Sequence, residues 1–475
     1  MMSTDETDVG AKVFLRPRSV AVVGAGDRLT SSGGAVLRNL VRSGFRGRVV
    51  PVNPKGGELL GLPVARSLLE VTPACELAVI VVRPDAILEV VREAAATGHR
   101  NLLVLPGGFA ESADEGKARD RELQALALEH GLTIGGPNCA GIINLTDVQA
   151  PFAATFLRDL PRGGGVALVS QSGAIAEEVI AASHAMGIAI GALVSVGNAM
   201  HLGLAEYLEE LGSDPACRAV LLYAESFGDA ERFRELARRV CSHKPVAVLI
   251  GGRTQPGRSA VFRHTGSDAM SDEQSEAFCR DSGMVRVTSL RRLMLAGKAF
   301  SAYPQGIGSR VLLLSNSGGP GVLCTDQCAL EGLTLPELPA AYAQRLRAFL
   351  PPEEAVANPL DLLADAREER FGDTLSAALT EGAGAFDAIL LVHVVPFMVD
   401  ATPVVERLAQ LCRAARLPIL HSMMGTLEHK AEWAATMESA GVPFFDNVED
   451  MAEAAGLLAR YRSLRCGLLV SDERR

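Results

Sequence analysis

The segment Arg258–Asp268 combines residue types that can handle a phosphoryl group. It reads Arg-Ser-Ala-Val-Phe-Arg-His-Thr-Gly-Ser-Asp, so one imidazole, that of His264, stands among arginines, hydroxyl groups and a glycine. A neutral imidazole is a nucleophile toward phosphorus, and guanidinium and hydroxyl groups bind phosphate oxygens. The short polar stretch is predicted to be a loop. A lone histidine in a loop is more often an ordinary surface residue, so the surrounding elements must decide between the two interpretations.

Composition indicates a multidomain globular protein. The chain has 475 residues, of which 48% are hydrophobic, which is enough for about three domains of ordinary size. Its 56 acidic residues outnumber 46 basic ones, for a net charge of -10, and aromatic residues are few. This balance argues against a nucleic-acid or anionic-membrane partner.

The first residues of the chain indicate where the protein is located, and the cysteines indicate whether it contains disulfides or a metal site. The first residues are acidic, unlike a signal peptide, and no apolar run reaches the about 18 residues of a membrane span, so we expect a cytoplasmic protein. The 9 cysteines form no Cys-x-x-Cys pairs. They are therefore predicted to be reduced and mostly buried, with no disulfide and no metal site.

One unit recurs along the chain: an apolar β-branched run, a glycine-containing turn and a helical pattern. It begins at Ser19–Gly24 and restarts, after Pro/Gly-rich stretches, at Val166–Gln171 and Arg310–Ser315. Continuous apolar strands that alternate with helices indicate parallel sheets covered on both faces. The sequence therefore predicts an α/β protein of three domains, divided as residues 1–160, 161–305 and 306–475.

The first domain contains a turn suited to an anion. Glycines and hydroxyl residues separate its first strand from the following helix, where free N–H groups and the helix dipole attract phosphate. These residues are Gly24, Gly26, Ser31, Ser32 and Gly33. The second strand ends in Asn53-Pro-Lys55 rather than in an acidic residue, which favours NADP or coenzyme A over NAD. An ordinary tight βα turn remains the alternative.

Further polar turns follow later strands, on the rim where ligands of open α/β sheets bind. They contain Val82, Arg83 and Pro84 in one case and Pro137 and Asn138 in another. The second domain has a similar turn, Ser172-Gly173-Ala174, before a helix, and Glu225 follows a neighbouring strand. Simple helix capping by the serine is an equally good interpretation of that turn. Glu225 could hold the imidazole of His264 or could be a surface carboxylate.

Together these residues make the chain similar to a known protein family. The chain resembles the NDP-forming acyl-CoA synthetases, and within them the α subunits of ADP-forming acetate–CoA ligases, which are relatives of the succinyl-CoA synthetase α subunit. The likeness extends from Leu15–Gly24 to Asn316–Gly321 and Asn358–Asp361, and its most specific motif is His264-Thr-Gly-Ser267. It implies a Rossmann-like CoA-binding domain followed by two flavodoxin-like, succinyl-CoA synthetase-like domains.

The resemblance also implies roles for the residues. His264 would carry a phosphoryl group between an acyl phosphate and ADP, and Glu225 would orient it. The phosphoryl group would be bound by Ser172, Gly173, Ala174, Gly266 and Ser267. Coenzyme A would be bound by Gly24, Gly26, Ser31, Ser32, Gly33, Asn53, Lys55, Val82, Arg83, Pro84, Pro137 and Asn138. Asp268 departs from the family pattern, since a small apolar run commonly follows the motif, and Arg263 is placed to offset its charge.

The sequence lacks a Gly-x-x-x-x-Gly-Lys-Ser/Thr loop and any stretch that resembles an ATP-grasp domain. The resemblance therefore implies an ATP-grasp β subunit as partner, in a heterotetramer, with ATP/ADP and Mg²⁺ on that subunit and a small carboxylate or acyl-CoA as substrate. Two alternatives stay open. One is a CoA-binding regulatory module without catalysis, and the other is an NADP-dependent oxidoreductase, which rests on Lys55 alone.

Overall fold

The structure is a computed structural model that describes residues 10–28, 30–112, 114–265, 269–351, 355–396, 399–425 and 428–472, with backbone alone at 264–265 and 471–472. The chain forms two compact units, Met1–Met294 and Leu295–Arg475. Both are built on parallel sheets with helices between the strands, which confirms the predicted α/β fold class. No helix in the described part of the chain is long and apolar enough to cross a bilayer.

The first sheet of the first unit has five parallel strands in the order β2-β1-β5-β6-β7. A separate antiparallel pair, β3 with β4, follows its edge strand. Apolar β-branched runs form the central strands because residues on both faces are buried, as in β5, where every residue is buried. The strands are β1 Ser19–Val23, β2 Arg48–Val52, β3 Glu58–Leu59, β4 Leu62–Pro63, β5 Leu77–Ile80, β6 Asn101–Val104 and β7 Thr133–Gly135.

The second sheet has seven strands in the order β14-β13-β12-β10-β11-β8-β9. Five of them are parallel, whereas β8 and β9 are antiparallel additions at one edge. Both additions lie before residue 160, so part of the predicted first domain pairs with the second sheet. The strands are β8 Gly141–Asn144, β9 Phe152–Thr155, β10 Val166–Ser170, β11 Ile190–Ser195, β12 Ala219–Ala224, β13 Val246–Ile250 and β14 Val285–Val287.

Side-chain caps begin several helices of the first unit. The hydroxyl of Ser31 accepts a hydrogen bond from the Gly34 N–H, and that of Ser172 accepts one from the Ile175 N–H. Such caps satisfy N–H groups that lack an intrahelical carbonyl. The helices are α1 Ala11–Leu15, α2 Ser32–Arg42, α3 Ile87–Thr97, α4 Asp114–His130, α5 Gly173–Met186, α6 Leu204–Ser213, α7 Ala230–Cys241, α8 Gln255–Thr265 and α9 Asp272–Ser282, with 3₁₀ turns at Leu68–Glu70 and Pro84–Ala86. The next helix, α10 Leu290–Ala302, contains the boundary between the two units.

The structure corrects one sequence prediction in this region. The segment before Gly266 was predicted to be a loop, but Gln255–Thr265 forms α8, with His264 in its last turn. Pro256 lies in the first turn, where a helix does not need its N–H, and Val261 is buried, which anchors one face. On this helix Arg258 and Ser259 are half-buried and Arg263 is exposed.

The second unit contains one sheet of five parallel strands in the order β16-β15-β17-β18-β19. Its core joins the sheet to helices on one face and includes Tyr342, Phe371 and Trp433. The strands are β15 Val311–Ser315, β16 Leu360–Asp361, β17 Ala388–Val395, β18 Ile419–Gly425 and β19 Phe444–Phe445, and the helices are α11 Gly318–Leu330, α12 Ala340–Leu346, α13 Glu368–Thr380, α14 Thr402–Cys412, α15 Lys430–Ser439 and α16 Val448–Asp472.

Both units contain the same serine turn between a strand and a helix. In the first unit the Ser170 hydroxyl donates to the Ser172 carbonyl over 2.7 Å and accepts from the Ser172 N–H. In the second unit Ser315 makes the same pair of bonds with Ser317, also with a 2.7 Å hydroxyl bond. The two turns hold the strand end and the helix start in the same local arrangement.

Two core histidines of the second unit lie close together. His393 on β17 is 3% exposed and His421 on β18 is fully buried, and their ring centroids are 6.2 Å apart. Among the described residues, Nδ1 of His393 and both ring nitrogens of His421 have no hydrogen-bond partner. Burial lowers the pKa of His393 to about 4 and, with a smaller contribution from His393, that of His421 to about 3.

These pKa values predict acid sensitivity of the second unit. An unfolded histidine titrates near pH 6.5, so the unfolded chain takes up protons first as pH falls. Stability is therefore complete above about pH 6.5 and declines from there toward about pH 3. The chain has one tryptophan, the buried Trp433, so denaturant unfolding followed by its fluorescence reports on this unit. His421→Leu should flatten the decline, whereas His130→Leu, at a partly exposed site, should not. An identical decline in wild type and His421→Leu would contradict the assignment.

Candidate active site

A cavity of about 770 Å³ lies between the carboxyl-end rims of the two sheets of the first unit. This size is typical of sites for small molecules and cofactors. Its wall includes residues that directly follow β1, β5, β6, β9 and β10, the turn that leads into β8, and the first turns of α2 and α5. The lining residues are Gly24, Ser31, Ser32, Gly33, Val81, Val82, Arg83, Leu105, Pro106, Gly107, Asn138, Cys139, Ala140, Phe156, Leu157, Gln171, Ser172, Gly173, Ala174 and Glu177.

Close backbone contacts form the α2 side of the cavity. Gly24 has φ +93°, and a Cβ at this position would lie 2.6 Å from the Val81 carbonyl oxygen. A Cβ on Gly33 would lie 2.0 Å from the Gly24 carbonyl oxygen. The β1–α2 connection therefore requires glycine at both positions, which brings the first turn of α2 to the sheet rim. Because the start of a helix carries unpaired N–H groups and positive dipole charge, this wall suits an anion.

The α5 side presents a second helix start to the same cavity. Ser172 caps α5, and the Ser170 hydroxyl fixes the turn before it. A Cβ added to Gly173 would lie 3.3 Å from the Ala140 Cβ, so the first turn of α5 packs closely on the segment that enters β8. The cavity therefore has two anion-binding walls, one from each sheet.

The turn that contains Asn138 joins the two rims. Asn138 has φ +59°, a left-handed conformation that asparagine tolerates, and a Cβ on Gly197 would collide with its carbonyl oxygen at 2.3 Å. The Asn138 side chain donates to Asn198 Oδ1 over 3.3 Å, and Asn198 in turn donates to Glu111. This chain of polar side chains holds the turn after β7 against the turn after β11.

Glu111 stays ionised in this network. Burial alone would raise its pKa, but hydrogen bonds from Asn198 and from the N–H groups of Gly108 and Phe109 lower the pKa of Glu111 below its ordinary value. Sequence reasoning did not identify Glu111 as part of this region. It lies in a loop distant in sequence from Asn198, and only the fold brings the two together.

The structure brings ten of the predicted site residues to the cavity wall. They are Gly24, Ser31, Ser32, Gly33, Val82, Arg83, Asn138, Ser172, Gly173 and Ala174. Arg83 contributes a largely exposed guanidinium, which also pairs with Asp85 at 3.3 Å. The predicted CoA-binding and phosphoryl-binding turns thus border one continuous space.

Other predicted residues lie elsewhere. Gly26, Asn53, Lys55, Pro84 and Pro137 are outside the cavity lining. The Asn53 side chain donates to the Ala25 carbonyl over 2.6 Å, so it ties the end of β2 to the turn after β1. Gly266, Ser267 and Asp268 lie outside the described residues, and His264 is described by its backbone position at the end of α8 alone.

Glu225 is connected to the cavity through Gln171. The Gln171 side-chain oxygen accepts hydrogen bonds from the N–H groups of Glu225 and Ser226, while Gln171 itself lines the cavity. Tyr223 donates to Glu225 Oε1 over 3.3 Å, and burial, assisted by that carboxylate, raises the pKa of Tyr223 to about 12, so the phenol keeps its proton. The sequence analysis missed Gln171 as a site residue, although its position directly after β10 was an available signal.

The positions of the cysteines confirm that they are mostly buried, as predicted. All nine cysteines lie in the described residues and are free, and eight are buried whereas Cys466 is exposed. Cys139 lines the cavity, yet burial raises the pKa of Cys139 to about 12. Its thiol is therefore neutral and poorly nucleophilic near pH 7.

The contrast between the exposed Cys466 and the eight buried cysteines predicts selective alkylation. Iodoacetamide at neutral pH should modify Cys466 first and leave Cys139 intact in the folded chain, because only thiolates that reach solvent react quickly. Peptide mass spectrometry of the partly alkylated protein measures the order. A Cys466→Ser variant should then be nearly unreactive until denatured. Early modification of Cys139 would contradict the burial found here.

Family models match almost the whole chain. Residues 18–144 match a CoA binding domain, residues 163–300 a succinyl-CoA ligase like flavodoxin domain, and residues 311–471 a ligase-CoA domain. The first of these matches contains α2 and the turns that form one cavity wall, and the second contains α5.

Curated relatives agree with these matches. The chain is 34% identical over 453 residues to the acetate–CoA ligase [ADP-forming] II subunit alpha of Pyrococcus furiosus, covering 94% of this chain and 97% of that protein. It is also 34% identical over 462 residues to the acetate–CoA ligase [ADP-forming] I of Archaeoglobus fulgidus, covering 96% of this chain but 64% of that protein.

A solved structure has the same fold over nearly its full length. It is the dinucleotide forming acetyl-coenzyme A synthetase 1 of Ca. Korarchaeum cryptofilum in complex with phosphate and ADP. The TM-score is 0.90 at 29% identity, with 97% of this chain and 98% of that chain covered. The domain models, the two-sided cavity and the full-length relatives lead to one conclusion: the chain belongs to the family of ADP-forming acetate–CoA ligase α subunits.

Proposed function

We propose that this chain is the α subunit of an ADP-forming acyl-CoA synthetase. The reaction interconverts acyl-CoA, ADP and phosphate with carboxylic acid, CoA and ATP, through an acyl phosphate and a phosphohistidine. The observation that carries this proposal is the single cavity bordered by two helix starts, because the reaction must bring a CoA thioester and a phosphate together.

The α2 wall is the proposed CoA site. The phosphates of CoA would lie against the first turn of α2, with Ser31, Ser32 and Gly33, and the Arg83 guanidinium adds positive charge to the same wall. Because Gly24 and Gly33 have no side chain, the β1–α2 connection packs closely and holds the first N–H groups of α2 at this wall. Asn53 and Lys55 would act from beyond the cavity lining, on the 3′-phosphate end of the ligand.

The α5 wall is the proposed phosphoryl site. The first turn, Ser172–Ala174, would stabilise negative charge on the transferring oxygens. His264 is the proposed nucleophile: its imidazole nitrogen bonds to phosphorus as the bond from phosphorus to the acyl oxygen breaks, and the carboxylate leaves. Glu225 would orient that imidazole by accepting its other N–H, and Gln171 and Tyr223 hold Glu225 in place. Gly266 and Ser267 complete the proposed phosphoryl site.

The second half of the relay is proposed to lie on a partner. Two relatives from Pyrococcus furiosus are named as α subunits, which supports a partner subunit for this chain. We propose an ATP-grasp β subunit, in a heterotetramer, that holds ADP or ATP with Mg²⁺. We also propose that the chain divides into three domains at residues 160 and 305. A cytoplasmic location is a further part of the proposal.

The test is to co-purify the chain with an ATP-grasp protein encoded beside it. ATP formation from ADP, phosphate and a panel of acyl-CoA thioesters is the expected result. The regulatory alternative predicts CoA binding without ATP formation, and the oxidoreductase alternative predicts tighter binding of NADP than of CoA. Either of those results would overturn the proposal, and calorimetry with CoA and NADP distinguishes them.

A further inference from the structure

Phe156 is an aromatic residue that faces the cavity from a buried segment. It follows β9, its side chain is 38% exposed, and it lines the cavity, whereas its neighbours Thr155 and Leu157 are 0% and 4% exposed. A phenylalanine with this much exposed surface forgoes about 0.5–1 kcal/mol of the stabilisation that full burial would give. This position therefore offers apolar surface to a bound ligand.

Hydrogen bonds on both sides hold the backbone of Phe156. The fully buried Asn39 on α2 donates from one amide nitrogen to the carbonyls of Thr155, at 2.9 Å, and of Leu157, at 2.8 Å. The Thr155 hydroxyl donates to the Ala140 carbonyl over 2.6 Å. These hydrogen bonds fix the backbone position of Phe156. The size of its side chain therefore affects how much space the cavity has.

The backbone at Phe156 lies beside the segment that contacts the first turn of α5. Thr155 pairs with Gly141 in the β8–β9 ladder, so Phe156 comes next to Ala140. Ala140 in turn contacts the first turn of α5 at Gly173. In the proposed function this turn faces the phosphoryl group, which is joined to the acyl group through one oxygen. The acyl group would therefore occupy the space beside Phe156.

We infer that Phe156 bounds the acyl subsite and limits the size of the carboxylic acid that the enzyme accepts. This inference rests on the proposed function and adds the residue that determines substrate size. A single methylene in an apolar pocket changes selectivity by about 10-fold to 200-fold, so a change of ring size has a large effect. Phe156→Ala should open the subsite to branched and aromatic acids, and Phe156→Trp should restrict it to small ones.

Binding measurements on the full chain test this directly. Calorimetry with CoA, acetyl-CoA and benzoyl-CoA would compare wild type with Phe156→Ala and Phe156→Trp. We expect the benzoyl-CoA to acetyl-CoA affinity ratio to rise at least about tenfold in the alanine variant and to fall in the tryptophan variant. Affinity for free CoA should stay within about twofold in both. Leu69→Ala, an exposed apolar truncation outside the cavity lining, should leave all affinities unchanged.

Two results would overturn the inference while leaving the proposed function intact. One is an unchanged affinity ratio in both variants. The other is an equal loss of affinity for all ligands including free CoA, since it would mean that the ring contacts the body of CoA rather than the acyl group. If the wild-type chain binds no CoA and forms no ATP with its partner, the proposed function fails and the inference fails with it.

Discussion

Gly33→Ala is expected to lower CoA affinity at least about tenfold and to destabilise the first unit by about 1–3 kcal/mol. The new Cβ would lie 2.0 Å from the Gly24 carbonyl oxygen and 2.9 Å from its carbon. Both atoms are backbone, so the strain cannot be relieved by rotating a side chain. The first turn of α2 must shift away from the sheet rim, and its N–H groups leave the positions proposed to bind phosphate.

Gly26→Ala is the matched control for this experiment. It lies in the same β1–α2 connection, but a Cβ there would meet its nearest atom, the Ser31 Oγ, at 3.7 Å, an ordinary contact. Calorimetry with CoA and thermal unfolding should therefore find near wild-type values. Equal CoA affinity in the two variants would show that the start of α2 does not bind the ligand.

His264→Ala is expected to reduce ATP formation about a thousandfold or more, because it removes the proposed nucleophile. CoA affinity should be unchanged, since the CoA site is proposed on the opposite wall of the cavity. Turnover with the ATP-grasp partner and calorimetry with CoA measure the two effects separately. Arg263→Ala, which alters the exposed residue just before the histidine, is the control and should retain substantial activity. Undiminished turnover in His264→Ala would exclude a phosphohistidine at this position.

Much of the fold could be predicted because the central strands are buried on both faces. The runs at Ser19–Val23 and Val166–Ser170 read as continuous apolar segments, and each is followed by a polar turn and a helix. Turns that follow parallel strands must lie on one rim. For this reason the residues after β1, β5 and β10 could be assigned to a ligand-binding edge before their distances were known.

Features that depend on contacts distant in sequence could not be predicted. The strands β8 and β9 are short and antiparallel, and their place beside β11 is set by tertiary pairing. Asn53 matches a ligand-binding pattern, yet its amide bonds to the Ala25 carbonyl. Gln171, in contrast, was not predicted as a site residue but lines the cavity. Its side-chain oxygen accepts a hydrogen bond from the Glu225 N–H, which is 54 residues away in sequence.

The helical state of α8 has a similar explanation. Its polar and glycine-containing sequence favours a loop locally, while the buried side of Val261 favours a helix packed on the unit. Tertiary packing overrides weak local preference in such segments. His264 therefore lies in the last turn of a helix, two residues before the glycine of its motif.

The central claim is a phosphohistidine formed beside a CoA site, and labelling tests it most directly. The chain and its ATP-grasp partner would be incubated with an accepted acyl-CoA and radiolabelled phosphate in the absence of ADP. We predict an acid-labile, base-stable label that maps to His264, is absent from His264→Ala, and is lost when ADP is added. Release of CoA without any label on His264 would contradict the account.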